Sequence, residues 1–410
     1  MTPTIPSESY PTVLVKPGEA DRLLAGHPWL YEGSVLRVTR EVKDGEVVQV
    51  KDHRQRLLGT GFFNSRSRIR VRLLARERVR VDAHFFETRI KSALEHRRRW
   101  MSGASSYRLV NAESDGLSGL IIDWYEGVAV MQTSSLGMDL RKREIVEALN
   151  RVAKPRAVVE RNDMGSRKFE GMEDAGGVLA GSLEEAELAR LSVRMNNLNF
   201  EVNLATGHKT GIYLDQQLNY QLAATLAGGG AVLDAFCFQG GFALHAAKLG
   251  ASSVLGLDQS EEAIGVARRL AEVNRLASKV SFETANVFDW LKSATSAAGG
   301  KTAPCFDLII LDPPSFTRNR ASVGDALRGY KEIHLRALKL LKPGGVLATF
   351  CCSHHVDASL FEEVILGAAY DARRVLRRVR QFTQPDDHPI LPSVPETEYL
   401  KGFAYDVVGR

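Results

Sequence analysis

The residue types in this chain that could do chemistry lie at the ends of apolar segments in its C-terminal half. Asp234 ends one such segment, Asp258 ends a second, and Asp312 ends a third. A fourth segment ends in the vicinal pair Cys351 and Cys352. Carboxylates accept hydrogen bonds and exchange protons, and a thiolate is a good nucleophile. The pattern indicates an enzyme whose ligand site is built from strand ends and includes a candidate nucleophile.

The first two acids point to a nucleoside-containing cofactor. Gly240 and Gly241 follow Asp234 in a turn before a predicted helix, where glycine lets the backbone approach a ligand closely. A dinucleotide-binding fold would show the pattern GxGxxG at this place, and this chain does not. Asp258 lies where an acid can accept hydrogen bonds from both ribose hydroxyls. The next strand is followed by Asn286 and Val287, which suit an adenine edge.

Taken in order, these strand ends resemble the class I S-adenosylmethionine-dependent methyltransferases. An unrelated nucleotide-binding α/β domain is the alternative. A phosphate-binding P-loop does not fit Gly207-His-Lys-Thr-Gly211, since the lysine does not directly follow a glycine.

The third acid begins the motif Asp312-Pro313-Pro314-Ser315-Phe316. Two prolines after a carboxylate make a stiff backbone with few donors, which can present an acid and a carbonyl to a planar base. Motifs of this (D/N)PP(Y/F) type occur in methyltransferases that act on nucleic-acid bases. The alternative is that the prolines only end the strand. Phe316 would either stack on the base or pack in the core.

The vicinal cysteines suggest covalent chemistry on a cytosine. A thiolate that adds to C6 makes C5 nucleophilic towards a sulfonium methyl group, and Asp312 is the natural acid for N3. Adjacent residues in a strand point to opposite faces, so one thiol alone can face the substrate, and the spacing favours Cys352. The alternatives are a small buried hydrophobic residue and a metal site that also uses His354 and His355. Four ligands within five residues cannot easily converge on one ion.

Around these residues the sequence predicts a mostly parallel, doubly wound α/β sheet with its ligand at the carboxyl ends of the strands. The predicted strands are Ala231–Ala235, Ser253–Leu257, Val280–Thr284, Phe306–Leu311, Val346–Phe350, 374–382 and Leu400–Val408. The predicted helices are 241–249, 260–275, 325–341 and 357–370.

The N-terminal part of the chain is strongly basic. The whole chain of 410 residues has a net charge of +5, but residues 51–100 contain fifteen Lys or Arg and five acids. In the predicted strand at Ser67–Leu74 the arginines recur at every second position, so they are expected to line one face. A helix capped by Asp82 should end in three further arginines. Such a basic block suggests a polyanionic partner, and the residues expected to contact it, RNA phosphates if the partner is RNA, are Arg66, Arg68, Arg70, Arg72, Arg97, Arg98 and Arg99.

Length and composition limit the class of protein. The length favours two or three domains, and 44% hydrophobic with 25% charged residues is typical of a soluble globular chain. Four cysteines without CxxC spacing predict neither a zinc ribbon nor a disulfide scaffold. No signal peptide and no apolar run of membrane-spanning length is recognised, so a cytoplasmic protein is expected.

Over nearly its full length the chain resembles the RlmI-type family of bacterial 23S ribosomal RNA cytosine-5 methyltransferases. The segments that carry the resemblance are 61–69, 113–120, 207–216, Asp312–Phe316, 350–353 and Asp387–Pro389. The resemblance implies a PUA-like RNA-binding domain at 1–80, a central α+β domain at 81–200 and a Rossmann-like methyltransferase domain at 201–410. It also implies that Cys352 is the nucleophile, with Cys351 where serine is common. Ser315 stands where another class of RNA cytosine-5 methyltransferases has a second cysteine.

The resemblance also implies S-adenosylmethionine as the cofactor and 23S rRNA, or an intermediate in large-subunit assembly, as the partner. The expected cofactor residues are Tyr213, Asp215, Gln216, Asp234, Phe236, Gly240, Gly241, Asp258, Gln259, Asn286, Val287 and Asp312. The expected catalytic residues are Cys352, Asp312 and Pro313. No metal and no membrane partner are expected, and a homo-oligomer is left open. Two rival functions are a base N-methyltransferase, which needs no thiol, and a non-catalytic rRNA-binding assembly factor.

Overall fold

The computed structural model describes residues 10–207, 210–296, 305–317 and 319–409, which form two compact units. The first unit comprises the described residues of Met1–Val193, Val202–Leu214 and Asp386–Glu398. The second comprises those of Arg194–Glu201, Asp215–Pro385 and Tyr399–Arg410. The predicted boundaries at residues 80 and 200 stay a prediction. Within the described residues, no helix combines the length and the apolar character needed to cross a membrane.

The first unit begins with six short strands and one helical turn. These are β1 (Thr12–Val15), α1 (Asp21–Leu24), β2 (Trp29–Tyr31), β3 (Val35–Val38), β4 (Val47–Lys51), β5 (Leu57–Phe63) and β6 (Ile69–Ala75). The strands form one sheet in the order β2-β6-β5-β4-β1-β3. Val13, Val48 and Val71 have no exposed surface and belong to the core of this sheet.

The start of β6 corrects the prediction of one arginine-lined strand. The Asn64 side chain accepts a hydrogen bond from the backbone N–H of Arg66, and Ser67 Oγ accepts one from that of Ile69. Such local side-chain bonds favour a turn over a strand. Arg66 and Arg68 therefore precede the strand, and the period-two expectation is wrong for them.

The rest of the first unit is a five-stranded sheet with helices. The elements are α2 (Ala83–Trp100), β7 (Ser106–Asn111), β8 (Leu120–Tyr125), β9 (Val128–Thr133), α3 (Leu136–Asp139), α4 (Lys142–Val152), β10 (Ala157–Asn162), β11 (Ala175–Gly181) and α5 (Glu185–Ala189). The strand order is β11-β10-β9-β8-β7. Asp82 caps α2 as predicted, because its side chain accepts from the N–H of Phe85 at 3.1 Å. Phe86, Ile90 and Leu94 form the buried stripe of α2.

The chain then forms a two-stranded sheet of β12 (Leu191–Met195) and β13 (Leu198–Val202), followed by the second unit. The strands of the second unit are β14 (Ala231–Ala235), β15 (Ser253–Asp258), β16 (Val280–Thr284), β17 (Phe306–Leu311), β18 (Leu341–Cys351), β19 (Val375–Phe382) and β20 (Lys401–Gly409). The helices are α6 (Gln217–Ala224), α7 (Gly241–Lys248), α8 (Glu261–Val273), α9 (Val287–Ser296), α10 (Val323–Leu340) and α11 (Ala358–Asp371).

These seven strands form one sheet in the order β16-β15-β14-β17-β18-β20-β19. The first five strands in that order are parallel. Strand β20 is antiparallel to both of its neighbours, β18 and β19. The mostly parallel α/β sheet was predicted with nearly these strand bounds. Helix α9 was not predicted, although Asn286 lies immediately before it and accepts from the N–H of Phe288.

One buried arginine ties several segments of the first unit together. Arg97 is 1% exposed, and its guanidinium donates two hydrogen bonds to the carboxylate of Asp115, at 2.6 and 2.8 Å. It also donates to the backbone carbonyls of Arg108 and Asp387. Removing one partner from such a buried pair leaves an uncompensated charge. Arg97 is therefore a structural residue of this unit.

We expect Arg97→Ala to destabilise the first unit by about 3–5 kcal/mol, because the carboxylate of Asp115 loses its counter-ion while still buried. The matched control is Arg98→Ala, since Arg98 is the neighbouring residue and is exposed. That change should alter stability by less than about 0.5 kcal/mol. The midpoints of thermal unfolding measure both, and equal midpoints for the two variants would contradict the structural role of Arg97.

Candidate active site and nucleic-acid interface

Three carboxylates meet at the carboxyl end of the parallel sheet in the second unit. Strand β14 lies between β15 and β17, and Ala235 is paired with Leu257 on one side and Leu311 on the other. Asp258 and Asp312 each come one residue after those partners, and neighbouring strands are about 4.8 Å apart. The register therefore brings Asp258 and Asp312 to either side of the end of β14, as the sequence predicted.

Asp234 is the most deeply buried of the three. Its Oδ2 accepts a hydrogen bond from the N–H of Ala243, in the first turn of α7, at 2.8 Å. Its Oδ1 is buried, and among the described residues it has no hydrogen-bond partner. Burial raises the pKa of Asp234 to about 8, with smaller contributions in the same direction from the charges of Asp312 and Asp258 and an opposing one from the hydrogen bond of Ala243.

The turn between β14 and α7 has an unusual backbone. Phe236 and Phe238 have positive φ angles of 68° and 49°, and Gly240 has one of 80°. This shape lets the N–H of Phe238 donate to Asp258 Oδ2 at 2.9 Å. A Cβ on Gly240 would lie 2.6 Å from the ring of Phe282. Gly240 is thus required by backbone conformation and by ring packing, which is a different reason from the predicted approach of a ligand.

The remaining predicted cofactor residues on this edge differ in exposure. Asp258 is partly exposed, and its Oδ1 accepts from the N–H of Ser260 at 2.9 Å. Gln259 and Asn286 are exposed, whereas Val287 is buried. The carboxylate of Asp258 is oriented by two backbone donors and still reaches solvent. Such a carboxylate can accept hydrogen bonds from the hydroxyls of a ribose.

A second polar network holds Asp312 from another direction. Gln216 donates from Nε2 to Asp312 Oδ2 at 3.1 Å and accepts from Asn219 at 2.7 Å. Its neighbour Asp215 is buried and accepts from the hydroxyl of Tyr399 at 2.8 Å. Sequence reasoning missed Asn219 and Tyr399, and no spacing rule connects Tyr399 with a residue 184 positions earlier.

The residues of this predicted segment that precede Asp215 belong to the first unit or are outside the described residues. Tyr213 belongs to the first unit, and His208 and Lys209 lie outside the described residues. Thr210 in the first unit is buried, and its hydroxyl donates to Asp123 Oδ2. The part of the segment that precedes Asp215 is therefore anchored through Asp123.

The two vicinal cysteines have different surroundings. Cys351 is fully buried, and its thiol donates to the hydroxyl of Tyr330 at 3.4 Å. Cys352 comes just after β18 and is partly exposed. On the paired strands β17 and β18, Leu311 lies opposite Thr349, so Cys352 extends two residues, or about 7 Å, beyond the level of Asp312. A planar six-membered ring fits a separation of this size.

Hydrogen bonds fix the loops that carry the two candidate catalytic side chains. The backbone of Phe316 donates to the hydroxyl of Tyr330, and burial raises the pKa of Tyr330 above its ordinary value. The hydroxyls of Thr317 and Ser353 are hydrogen-bonded to each other. Lys401 donates to the carbonyl of Ser353 at 2.7 Å. The segment after Pro313 and the segment after Cys352 are therefore connected to each other.

Phe316 packs among other aromatic rings. Its ring centroid lies 4.6 Å from that of Tyr330, 5.6 Å from Phe288 and 6.5 Å from Phe236. These contacts favour the core interpretation of Phe316. Pro313 is buried and Pro314 is exposed. The geometry of the motif thus leaves Asp312 as its polar group near the ligand site.

The described residues contain no group of three or more His, Cys, Asp or Glu side chains that could hold a metal ion. The four cysteines are free thiols, of which Cys237 and Cys351 are buried. Burial raises the pKa of Cys237 well above its ordinary value.

The arginines predicted to bind RNA fall into two groups. Arg70 donates to Glu32 at 2.8 Å, and Arg72 donates to Glu170 at 3.0 Å, each with a side chain that is almost completely covered. Together with the buried Arg97, they are engaged by carboxylates within the first unit. The burial of Arg97 does not suit contact with phosphate, whereas phosphate binding by Arg70 and Arg72 stays a prediction. The arginines whose side chains remain exposed are Arg66, Arg68, Arg98 and Arg99.

Two family models match the chain. Residues 13–76 match the PUA-like domain, and residues 117–395 match the S-adenosylmethionine-dependent methyltransferase family. A ribosomal RNA large subunit methyltransferase I from Klebsiella pneumoniae subsp. pneumoniae is 37% identical over 404 residues, covering 97% of this chain and 99% of the relative. A protein of the same name from Shewanella amazonensis is 39% identical over 395 residues, covering 95% and 98%.

Solved structures share the fold. A Streptococcus mutans protein named as a SAM-dependent methyltransferase superposes with a TM-score of 0.81 at 21% identity, covering 97% of this chain and all of the other. The structure of SMU.776, a complex with SAH, gives 0.82 at 22% identity, with the same coverage. At these identities the likeness supports the fold alone.

The raised pKa of Asp234 predicts an unusual pH dependence of stability. The folded protein keeps the proton of Asp234 up to about pH 8, whereas the unfolded chain releases it near pH 4. The contribution of Asp234 to the free energy of unfolding is thus complete below pH 4 and is lost as the pH rises through 8. Asp234→Asn should therefore raise the thermal midpoint at pH 8–9 relative to the parent, with roughly 2–4 °C for each kcal/mol gained.

Asp307 provides a matched control with the opposite sign. A hydrogen bond from Lys342 holds the pKa of Asp307 below its ordinary value, so its contribution is present above pH 4 and is lost on acidification. Asp307→Asn should lower the midpoint slightly at pH 8–9. A lower midpoint for Asp234→Asn at that pH would show that Asp234 is ionised and stabilising.

Proposed function

We propose that this chain methylates C5 of a cytosine in 23S ribosomal RNA. The chain belongs to the S-adenosylmethionine-dependent methyltransferase family and to the family of the large-subunit ribosomal RNA methyltransferase I proteins. Identity above 35% over nearly the full length of both chains supports rRNA as the substrate. The cytosine-5 chemistry rests on one observation. A partly exposed thiol, Cys352, lies at a strand end beside Asp312, while its neighbour Cys351 is held in the core.

The thiol of Cys352 is the proposed nucleophile. Its thiolate adds to C6 of the cytosine, and the electron pair of the C5–C6 double bond moves towards C5 and the N3 side of the ring. The protonated carboxyl group of Asp312 donates a proton to N3 as this charge forms. Bound S-adenosylmethionine would supply the electrophilic methyl group at C5, with S-adenosylhomocysteine as the leaving group. A base then removes the C5 proton, the electrons of that bond re-form the C5–C6 double bond, the C6–S bond breaks with its electrons returning to Cys352, and Asp312 takes back the N3 proton.

The residues at the strand ends suit the cofactor. The carboxylate of Asp258 and the buried, unpartnered carboxyl group of Asp234 suit a ligand that carries positive charge, as a sulfonium and an ammonium group do, because such a ligand would favour the ionised form of Asp234. Asp258 would accept from the ribose hydroxyls, and the exposed Asn286 would meet the adenine. Gln216 would contribute to the cofactor site indirectly, because its hydrogen bond orients Asp312.

The target cytosine must leave its stack to reach the Cys352 thiol. Unstacking costs a few kcal/mol, and single-stranded or distorted RNA lowers that cost. The hydrogen bonds that connect Thr317, Ser353 and Lys401 keep both sides of the base site in place before RNA binds. Preorganisation of this kind reduces the ordering cost of binding.

The test of this proposal replaces the two thiols one at a time. Cys352→Ala should abolish methyl transfer to protein-free large-subunit rRNA, with a loss of roughly 10³-fold or more, because the covalent adduct cannot form. Cys351→Ser keeps a hydroxyl near Tyr330 and should retain activity within about threefold. The measurement is release of tritium from rRNA labelled with [5-³H]cytidine, which reports loss of the C5 proton.

Two outcomes would favour the rival functions. Methyl transfer by Cys352→Ala without tritium release would indicate methylation of an amino group. Absence of S-adenosylmethionine binding by the parent protein in calorimetry would favour a non-catalytic rRNA-binding factor.

A further inference from the structure

An aromatic side chain of the first unit is displayed to solvent on a short turn. Phe169 is 78% exposed and lies in the 3₁₀ turn Gly165–Glu170, between β10 and β11. Burial of so large an apolar ring is favourable, and Phe169 forgoes most of that stabilisation. Among the large apolar side chains of the described residues, only that of Tyr370 is more exposed.

The residues on both sides of Phe169 are firmly anchored. Arg167 is 2% exposed and donates to the carbonyl of Thr133 at 2.6 Å and to Asp139 at 2.9 Å. Glu170 is 4% exposed and accepts hydrogen bonds from Asn64, Ser67 and Arg72, at 2.9, 2.6 and 3.0 Å. The turn is therefore held at two points, and the backbone of Phe169 is ordered before any partner binds.

Cations lie beside this ring. Lys168 is exposed and directly precedes Phe169. The side chain of Arg66 runs along Gly171, where an added Cβ would lie 2.5 Å from the Arg66 Cδ. The Arg66 side chain is 68% exposed, and its carboxylate contact among the described residues, to Asp44, is long at 3.8 Å. Phe169, Lys168 and Arg66 thus lie on or against one turn, and we call these three residues the Phe169 surface.

We propose that the Phe169 surface binds an unpaired segment of RNA, with the Phe169 ring stacked on a base and with Arg66 and Lys168 near phosphates. The proposal rests on the proposed function, because it takes RNA as the substrate. Aromatic rings stack on any base, and flanking cations follow the backbone, which is how proteins hold single strands. A rigid ring loses little conformational entropy on stacking, so the anchoring of the turn adds to affinity.

The chemistry distinguishes this surface from a protein contact. A protein interface needs a contiguous apolar patch of several hundred Å². The exposed neighbours of Phe169 that form this surface, Lys168 and Arg66, are charged instead. In a fully paired duplex the base faces are covered by their neighbours, so stacking on Phe169 requires an unpaired base.

The test compares Phe169→Ala, Phe169→Leu and Phe169→Trp in binding to a fluorescein-labelled single-stranded RNA 20-mer of mixed sequence and to its fully paired duplex. Fluorescence anisotropy should show about tenfold weaker single-strand binding for the Ala and Leu variants, and parental binding for the Trp variant. Duplex affinity should be unchanged in all three. Arg66→Ala should reduce the slope of log affinity against log salt by about 0.7 on the single strand.

Tyr370→Ala is the matched control, since Tyr370 is 84% exposed and lies on α11 of the second unit. It should leave RNA affinity at the parental value. Because Phe169 is exposed, its variants should keep the parental thermal midpoint and S-adenosylmethionine affinity. With rRNA as substrate, Phe169→Ala should raise KM and leave kcat unchanged.

Several results would overturn the proposal. Parental RNA affinity in Phe169→Ala is one, and full affinity in Phe169→Leu, which would indicate a general apolar contact, is another. A change in the mass of the protein in solution for Phe169→Ala, with RNA affinity retained, would assign the surface to contacts between copies of the chain. If the parent protein itself neither binds RNA nor methylates rRNA, the proposed function fails, and that result is separate from all of these.

Discussion

The meeting of three carboxylates at one edge of a parallel sheet is the constraint on which the second unit depends. The carboxyl ends of parallel strands lie at the same edge of a sheet, so the acids at the ends of β14, β15 and β17 lie close together. Each is held by different donors: Asp234 by the first turn of α7, Asp258 by the backbone of Phe238, and Asp312 by Gln216. The left-handed residues of the β14–α7 turn place the first two of these donors. Burial, and to a smaller extent the charges of Asp312 and Asp258, raise the pKa of Asp234.

The same strand ends separate a core side from a ligand side. Cys351 faces the buried Tyr330, and its neighbour Cys352 is left partly exposed. Tyr330 also accepts from the backbone of Phe316, so one buried hydroxyl contacts both the cysteine strand and the loop after Asp312. The relative position of the proposed nucleophile and the proposed acid is thus set by packing beneath the site. Such support is what keeps catalytic side chains within the small tolerances that chemistry needs.

Electrostatics in the first unit follows a different logic. Its many arginines suggest a uniformly basic surface, but Arg72, Arg97 and Arg167 are bound to buried carboxylates and carbonyls. Their charges are satisfied internally. Arg66 and Lys168 remain exposed on turns that internal pairs fix, and Arg98 and Arg99 remain exposed at the end of α2. The arginines on β6 therefore form ion pairs within the unit, whereas Arg66, which precedes β6, remains available to a partner.

Local patterns in the sequence determined the α/β class, nearly every strand of the second unit, the cap of α2 by Asp82, and the strand-end acids. These features depend on periodicity and on direction along one segment, which a sequence displays. Tertiary structure alone decided that Tyr399 would bind Asp215, that Glu170 would bind Arg72, and that Phe169 would remain exposed. An ion pair or a hydrogen bond between residues about 100 or more positions apart leaves no period in the sequence. The exposure of a side chain likewise depends on what the rest of the chain covers.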